Sequence, residues 1–136
     1  MASLYLLSET KDCSECPPPW VNFDDHCYLF VDIMTNFTEA EIFCQTLSDC
    51  DRPCHLASIH SVEEHSFVAD KMTELWSNDP IDLQVWIGRT QPGDSAAEWT
   101  DETSTTFDLS YPSTVDSSST WFDTFCYQEL RFVCKK

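Results

Sequence analysis

The chain has 136 residues, enough for one domain with a hydrophobic core. Hydrophobic residues make up 42% of it and aromatic residues 13%, which excludes a disordered chain in spite of a formal charge of -17. Only 7 Lys and Arg face 24 Asp and Glu, without any basic patch, which argues against binding to nucleic acid or to an anionic membrane.

Eight cysteines in a chain of this length are typical of an oxidising compartment and predict a disulfide framework. No apolar run approaches the roughly 20 residues that span a bilayer. Residues 1–15 show no periodic pattern and are predicted to be a tail or stalk, followed by one domain over residues 16–136. We expect an extracellular protein, either secreted or the ectodomain of a membrane receptor, whose signal or anchor lies outside these residues.

The domain begins with Cys16, followed by three prolines that require an extended chain. The segment from Cys27 to Val31 is rich in β-forming residues and predicts a strand. The separation of Cys16 from Cys27 is suited to a small hairpin closed by a disulfide.

Two helices are predicted from capping boxes, in which a Ser or Thr at the N-cap is followed three residues later by Glu. The first would start at Thr38 with Glu41, and Phe37 and Ile42 would form its hydrophobic staple. Its buried face would hold Ala40, Phe43, Cys44 and Leu47.

The second helix would start at Ser61 with Glu64 and run to about Trp76, before the helix-ending residues 78–80. Its buried stripe is predicted to hold Val68, Met72, Leu75 and Trp76.

The second half of the chain predicts short strands over residues 84–88, 98–100, 120–123 and 131–134. Residues 101–119 are rich in Ser, Thr and Asp and predict an irregular loop. This order of one strand, two helices and several short strands indicates an α+β fold.

At this point the sequence resembles the C-type lectin-like domain family. The resemblance is carried by an ordered set of motifs from residue 16 to residue 134. In chain order they are Cys16-Pro17 with Trp20, Cys27-Tyr28, Cys44, the run from His55 to Ser61, Trp86-Ile87-Gly88, Trp99-Thr100-Asp101, Trp121-Phe122-Asp123, Cys126 and Phe132-Val133-Cys134. The resemblance implies a disulfide-stapled domain with two helices and short antiparallel sheets, whose first and last strands pair and whose long loop, shortened here, usually holds the ligand site.

The resemblance also implies two disulfides, Cys16 with Cys27 and Cys44 with Cys134. The family's remaining bridge would join Cys126 to a cysteine before Trp121, but residues 117–119 are all serine. Pairing of Cys50 with Cys54 is plausible across the turn at Pro53. Cys126 and Cys13 would then pair with each other, stay free, or bridge to another chain.

Calcium binding is not expected. Sugar-binding members of the family hold calcium with a Glu-Pro-Asn or Gln-Pro-Asp triplet and with the Asn and Asp of a Trp-Asn-Asp motif. This chain has Tyr111-Pro112-Ser113 and Trp121-Phe122-Asp123 instead. Because calcium needs six to eight oxygen ligands, the loss of two or three usually abolishes a site. Asp108 and Asp116 lie nearby in the sequence without completing a set.

A zinc site is predicted at His60 and His65, which occupy the N′ and N4 positions that meet at the start of the second helix. Glu64, or a group from a second molecule, would complete the site, so zinc would promote homodimers. The alternative is two unrelated surface histidines.

Asn36-Phe37-Thr38 is an N-glycosylation sequon, which predicts modification of Asn36 in a secreted protein. The chain has no Gly-x-Ser-x-Gly turn and no Gly-rich phosphate loop, so we do not expect an enzyme.

We therefore expect an extracellular recognition domain that binds a protein or glycan without calcium, in innate immune or cell-surface recognition. The acidity favours a basic partner through electrostatic steering. The alternatives are a carbohydrate-binding lectin with a non-standard metal site and an acidic structural protein of a mineral or cuticle matrix. The ligand-binding residues are predicted to be Tyr111, Asp116, Trp121, Phe122 and Asp123.

Overall fold

In the computed structural model of the chain, residues 16–49, 52–76, 84–91, 96–107 and 124–136 are described. They form two helices and seven strands within these ranges. In chain order the elements are β1 (Val21–Phe23), β2 (His26–Thr35), α1 (Phe37–Gln45), β3 (His55–Leu56), α2 (Val62–Trp76), β4 (Val85–Trp86), β5 (Arg89–Thr90), β6 (Glu98–Trp99) and β7 (Leu130–Lys135). The predicted α+β fold is confirmed.

The domain opens with the predicted hairpin. β1 and β2 are antiparallel and are joined by Asp24 and Asp25, both with positive φ angles (51° and 66°). Two-residue hairpin turns commonly require this conformation at both positions, and Asp tolerates it better than most residues. The disulfide between Cys16 and Cys27 closes the hairpin, as the resemblance implies.

Strand β7 is the centre of the main sheet, whose order is β1-β2-β7-β3. It pairs antiparallel with β2 on one side, and on the other with β3 (antiparallel) and β4 (parallel). Beyond β7, Lys136 and Cys27 exchange two backbone hydrogen bonds of 2.8 and 2.9 Å. The implied pairing of the first long strand with the last is therefore confirmed. A second sheet contains β5 and β6.

Alternate side chains of β7 point to opposite faces of the sheet and divide the core in two. On one face, Phe132 and Cys134 pack with α1 in a buried cluster that also holds Val31, Ala40, Cys44, Cys54, Leu56 and Trp86. On the other face, Val133 packs beneath α2 in a cluster that also holds Tyr28, Ala57, Ile59, Val68 and Trp99. The two clusters are called the α1 cluster and the α2 cluster below.

Helix α1 starts two residues earlier than predicted. Its N-cap is Asn36, whose Oδ1 accepts a 2.8 Å hydrogen bond from the Glu39 N–H. The prediction of Thr38 as N-cap is wrong because Glu41, needed for its capping box, is engaged elsewhere. The Glu41 carboxylate accepts from the Leu56 N–H at 3.0 Å and lies 2.6 Å from His55 Nδ1.

Helix α2 has the predicted start and end. The Glu64 N–H donates to Ser61 Oγ at 3.0 Å, and the His60 N–H donates to a Glu64 carboxylate oxygen at 2.8 Å, which together form the capping box. Val68 is buried as predicted, but Leu75 is 50% exposed, so its place on the buried stripe is wrong. Within the described ranges, no helix is long and apolar enough to cross a bilayer.

The predicted bridge between Cys44 and Cys134 is present and joins α1 to β7. The predicted pairing of Cys50 with Cys54 is wrong, because the Cys54 thiol is free. Cys54 is fully buried in the α1 cluster, so its sulfur faces the core. Cys126 also carries a free thiol, which is exposed, so it does not pair with Cys13.

Candidate functional site

An ion pair is buried beneath α2, at the residue predicted from the sequence to be a metal ligand. Lys135, on β7, and Glu64, on the first turn of α2, are 7% and 6% exposed, and Lys135 Nζ lies 2.6 Å from Glu64 Oε2. The same carboxylate accepts a hydrogen bond from the Tyr28 hydroxyl. Lys135 also donates to the Ser58 carbonyl oxygen at 2.9 Å. The pair therefore ties α2 to β2 and β7.

The surroundings of this pair shift two pKa values. Burial alone would raise the pKa of Glu64, but the hydrogen bonds from Lys135 and Tyr28 outweigh it and hold that pKa below its usual value. Burial and the hydrogen bond to Glu64 raise the pKa of Tyr28 far above its usual value. At neutral pH Glu64 is a carboxylate and Tyr28 a neutral phenol.

A second polar group extends from this pair toward the loop after β6. Ser58 Oγ accepts from Lys135 at 3.3 Å and donates to Asp101 at 2.5 Å. Thr103 donates its hydroxyl and its backbone N–H to the same carboxylate, at 2.5 and 3.0 Å. Burial alone would raise the pKa of Asp101, but these donors from Ser58 and Thr103 hold it below its usual value. Asp101 thus fixes the start of the long loop to the core.

His60 completes the group, and hydrogen-bond geometry assigns its proton. Its Nε2 lies 3.1 Å from Ser58 Oγ and 2.9 Å from Thr103 Oγ1. Each hydroxyl has one proton, and both protons are directed at Asp101. Nε2 therefore carries a proton and acts as a donor to both oxygens. Ser58, fully buried and with no base to accept its proton, is not arranged as a nucleophile.

The zinc hypothesis gains no support from this geometry. Glu64 is buried, and its carboxylate already accepts from Lys135, Tyr28 and the backbone of His60, which argues against its predicted role as a zinc ligand. Over the described ranges of the chain, no group of three or more His, Cys, Asp or Glu is arranged to hold a metal ion.

The residues predicted to bind the ligand lie outside the described residues. They are Tyr111, Asp116, Trp121, Phe122 and Asp123, and Asp108 lies outside as well. The structure does place the residue at the end of the first long-loop motif, since Asp101 belongs to the network above. Trp99, two residues earlier, is buried in the α2 cluster.

Lys135 is a site residue that the sequence reasoning missed, although a signal was present. Strand residues alternate between two faces, so a lysine two positions after the apolar Val133 shares its inward face. A buried lysine requires an anionic partner nearby. The capping-box and zinc predictions already used Glu64, and neither of them points to Lys135 as its partner.

The cations of the described part of the chain are all engaged internally. Arg131 binds Asp32 at 2.6 Å, and Lys71 lies 3.4 Å from Glu74. Lys136 lies 3.3 Å from Asp49, and Arg89 packs over the Trp99 ring. Arg52 donates to backbone carbonyl oxygens of residues 25 and 136, and Lys135 is described above. The exposed charge of this part of the chain is therefore dominated by carboxylates.

Comparison with known proteins places this geometry in a family. The model of the Lectin C-type domain matches residues 33–136. Snaclec A14 of Macrovipera lebetinus is 32% identical, over 95% of this chain and 87% of its own length. The snaclec coagulation factor IX/factor X-binding protein of Gloydius halys contains a polypeptide that is 28% identical, over 96% of this chain and 90% of its own length.

Solved structures share the fold. A calcium-independent type II antifreeze protein superposes with a TM-score of 0.71 at 24% identity, over 90% of this chain and 94% of that one. That likeness concerns the fold alone. With the family model covering most of the chain, a relative above 30% identity and the two implied disulfides in place, the chain belongs to the C-type lectin-like domain family.

Proposed function

We propose that this chain is an extracellular recognition domain that binds a protein ligand without calcium. The observation that carries the proposal is the state of its buried carboxylates. Glu64 and Asp101 are the buried or half-buried acids at the base of the loop region, and both are filled by donors from the protein itself, chiefly Lys135, Ser58 and Thr103. These groups support a fold that is complete without a divalent ion.

A protein partner is favoured over a glycan by two considerations. One relative is named as a binding protein of coagulation factors IX and X. The charge of -17 would also attract a partner with basic surface groups, because steering by opposite charge raises association rates. Two disulfides support an extracellular location, where the oxidising environment maintains them.

The ligand surface is proposed to include Tyr111, Asp116, Trp121, Phe122 and Asp123, two of them acidic and three aromatic. Aromatic side chains supply contact area at low conformational entropy, and the carboxylates would pair with basic groups of the partner. Asn36 remains a proposed glycosylation site. Its Oδ1 caps α1, which leaves the Nδ2 atom for the sugar.

Thermal unfolding with calcium against chelator tests the calcium-independent proposal. A site with a dissociation constant of about 10 µM would add about 2.7 kcal/mol at about 1 mM calcium. We expect no change of Tm between that calcium concentration and excess chelator. A glycan array with and without chelator serves as the second measurement, and glycan binding that the chelator removes would replace this proposal with the sugar-binding lectin.

A further inference from the structure

An open apolar groove runs between the second half of β2 and the outer side of α1. Its volume is about 330 Å³, at the lower end of the range for ligand pockets. Ile33 and Thr35 of β2 form one wall, Glu39, Ile42 and Phe43 of α1 form the other, and Phe132 of β7 lies at its floor.

Helix α1 has two apolar faces, and only one of them is used by the core. Ala40 and Cys44 are fully buried in the α1 cluster. Residues 39, 42, 43 and 46 recur at intervals of three and four and form a separate stripe that lines the groove. On this stripe Ile42 is 49% exposed and Phe43 is 36% exposed.

The groove is continuous with the core. The Phe43 ring packs edge-on against the fully buried ring of Phe132, with 5.4 Å between centroids. Ile33, half exposed, faces them across the groove. Single exposed apolar residues are normal on a protein surface, but apolar residues that line one cavity are typical of an interaction site.

The charge of the groove and its surroundings determines what can occupy it. Glu39 is the ionisable residue in its lining, and it is exposed. A second copy of the chain would add another charge of -17, and the cations of its described part are already engaged. A segment with cationic groups would instead complement Glu39 and the acidic surface.

We propose that this groove is the docking site for a short segment of a partner protein, in which a large apolar side chain is flanked by Lys or Arg. The apolar side chain enters the cavity and covers Ile42 and Phe43, and a flanking cation pairs with Glu39. The groove shares no residue with the ligand surface proposed above. It is a second interaction surface, and its failure would leave the first proposal intact.

Selection from a displayed library of random heptapeptides tests the proposal. The folded parent chain is the bait, and Ile42→Asp is the bait for counter-selection. Selected peptides are then measured by fluorescence anisotropy against the parent, Ile42→Asp, Glu39→Lys and Leu75→Asp. Leu75 is the matched control, because it lies on the other helix and is 50% exposed, against 49% for Ile42.

The expected peptides combine an aromatic or branched aliphatic residue with Lys or Arg. Ile42→Asp should weaken their binding about tenfold or more, as for a central contact of an interface. Glu39→Lys should weaken it severalfold and reduce its salt dependence, and Leu75→Asp should leave it unchanged. Circular dichroism confirms that each variant is folded.

Three results would overturn the proposal. They are the absence of any enriched peptide, enrichment of peptides that bind the parent and Ile42→Asp equally, and enrichment of acidic or uncharged peptides. Sedimentation of the parent supplies a further check. A dimer that Ile42→Asp dissociates would make a second copy of the chain the occupant and would also overturn it.

Discussion

The two faces of strand β7 are joined to their helices by different chemistry. On one face Cys134 forms a covalent bond with Cys44 of α1. On the other face Lys135, the next residue, forms a buried ion pair with Glu64 of α2. The disulfide acts mainly by restricting the unfolded chain, whereas the ion pair depends on the protonation state and geometry of the folded one. The two halves of the core should therefore respond to different perturbations.

The largest effect is expected from removing the disulfide of the α1 face. The Cys44→Ala, Cys134→Ala double variant opens a link with a sequence separation of 90 residues, which should cost about 4–5 kcal/mol in the free energy of unfolding. Urea unfolding followed by tryptophan fluorescence measures it.

The matched control is the Cys16→Ala, Cys27→Ala variant, whose bridge has a sequence separation of 11 residues. Loop-closure entropy predicts a smaller loss there, about 3 kcal/mol. Equal losses from both variants would contradict the entropic account of the α1 face.

On the α2 face, Glu64→Ala should cost about 3–5 kcal/mol, because it leaves the ammonium group of Lys135 buried without a counter-charge. The neighbouring exposed Glu63→Ala is the control and should change the free energy of unfolding by less than about 0.5 kcal/mol.

Replacing both charges sharpens this test. The Glu64→Leu, Lys135→Met variant should be more stable than Glu64→Ala, since it removes the unpaired charge. If the double variant is the less stable of the two, the ion pair contributes more than its desolvation costs, and the comparison with the disulfide must be revised.

Acid should weaken the α2 face selectively. The folded-state pKa values of Glu64 and Asp101 lie below their ordinary values of 4.5 and 3.8, so the unfolded chain binds more protons in that range. Their contribution is complete above the ordinary values and is lost as the pH falls through the folded ones. Urea unfolding from pH 7 to pH 3 should show the parent and Glu64→Gln converging. A constant difference between them would refute this origin of the acid sensitivity.

The smallest effect concerns the free thiol of the α1 face. Burial raises the pKa of Cys54 to about 12, so at pH 8 its thiolate fraction is on the order of 10⁻⁴. Iodoacetamide with peptide mapping should label the exposed Cys126 first and label Cys54 only in denaturant. Labelling of both thiols at similar rates in the native protein would mean that the α1 cluster opens readily.

Local signals were predictable from the sequence, and the second helix shows why. The capping box at Ser61 and Glu64 lies within four residues, so nothing distant had to be known to predict it. The first helix offered two caps, Asn36 and Thr38. Contacts with distant residues decided between them, because Glu41 binds the backbone of Leu56 and the Phe37 N–H binds the Cys126 carbonyl.

The candidate site was predictable only in part. Glu64, His60 and Asp101 were visible in the sequence as parts of motifs, but their roles depend on Lys135, which is 71 residues from Glu64. Pairing of Cys54 with Cys50 is suggested by the short turn between them, whereas the packing of α1 places the Cys54 sulfur in the core. The groove beside α1 had no signal of its own, since Ile42 fits the pattern of a staple that does not form.

The sequence by itself determined the family, the α+β class, the two disulfides implied by the cysteine motifs and the acidic character of the surface. Each of these depends on composition, on local spacing or on a resemblance that the motifs carry. The tertiary structure alone decided that Lys135 is buried against Glu64, that Asn36 caps α1 and that Ile42 and Phe43 line an open groove. These follow from the pairing of β7 with three other strands, which brings together residues whose side chains carry no record of one another in the chain.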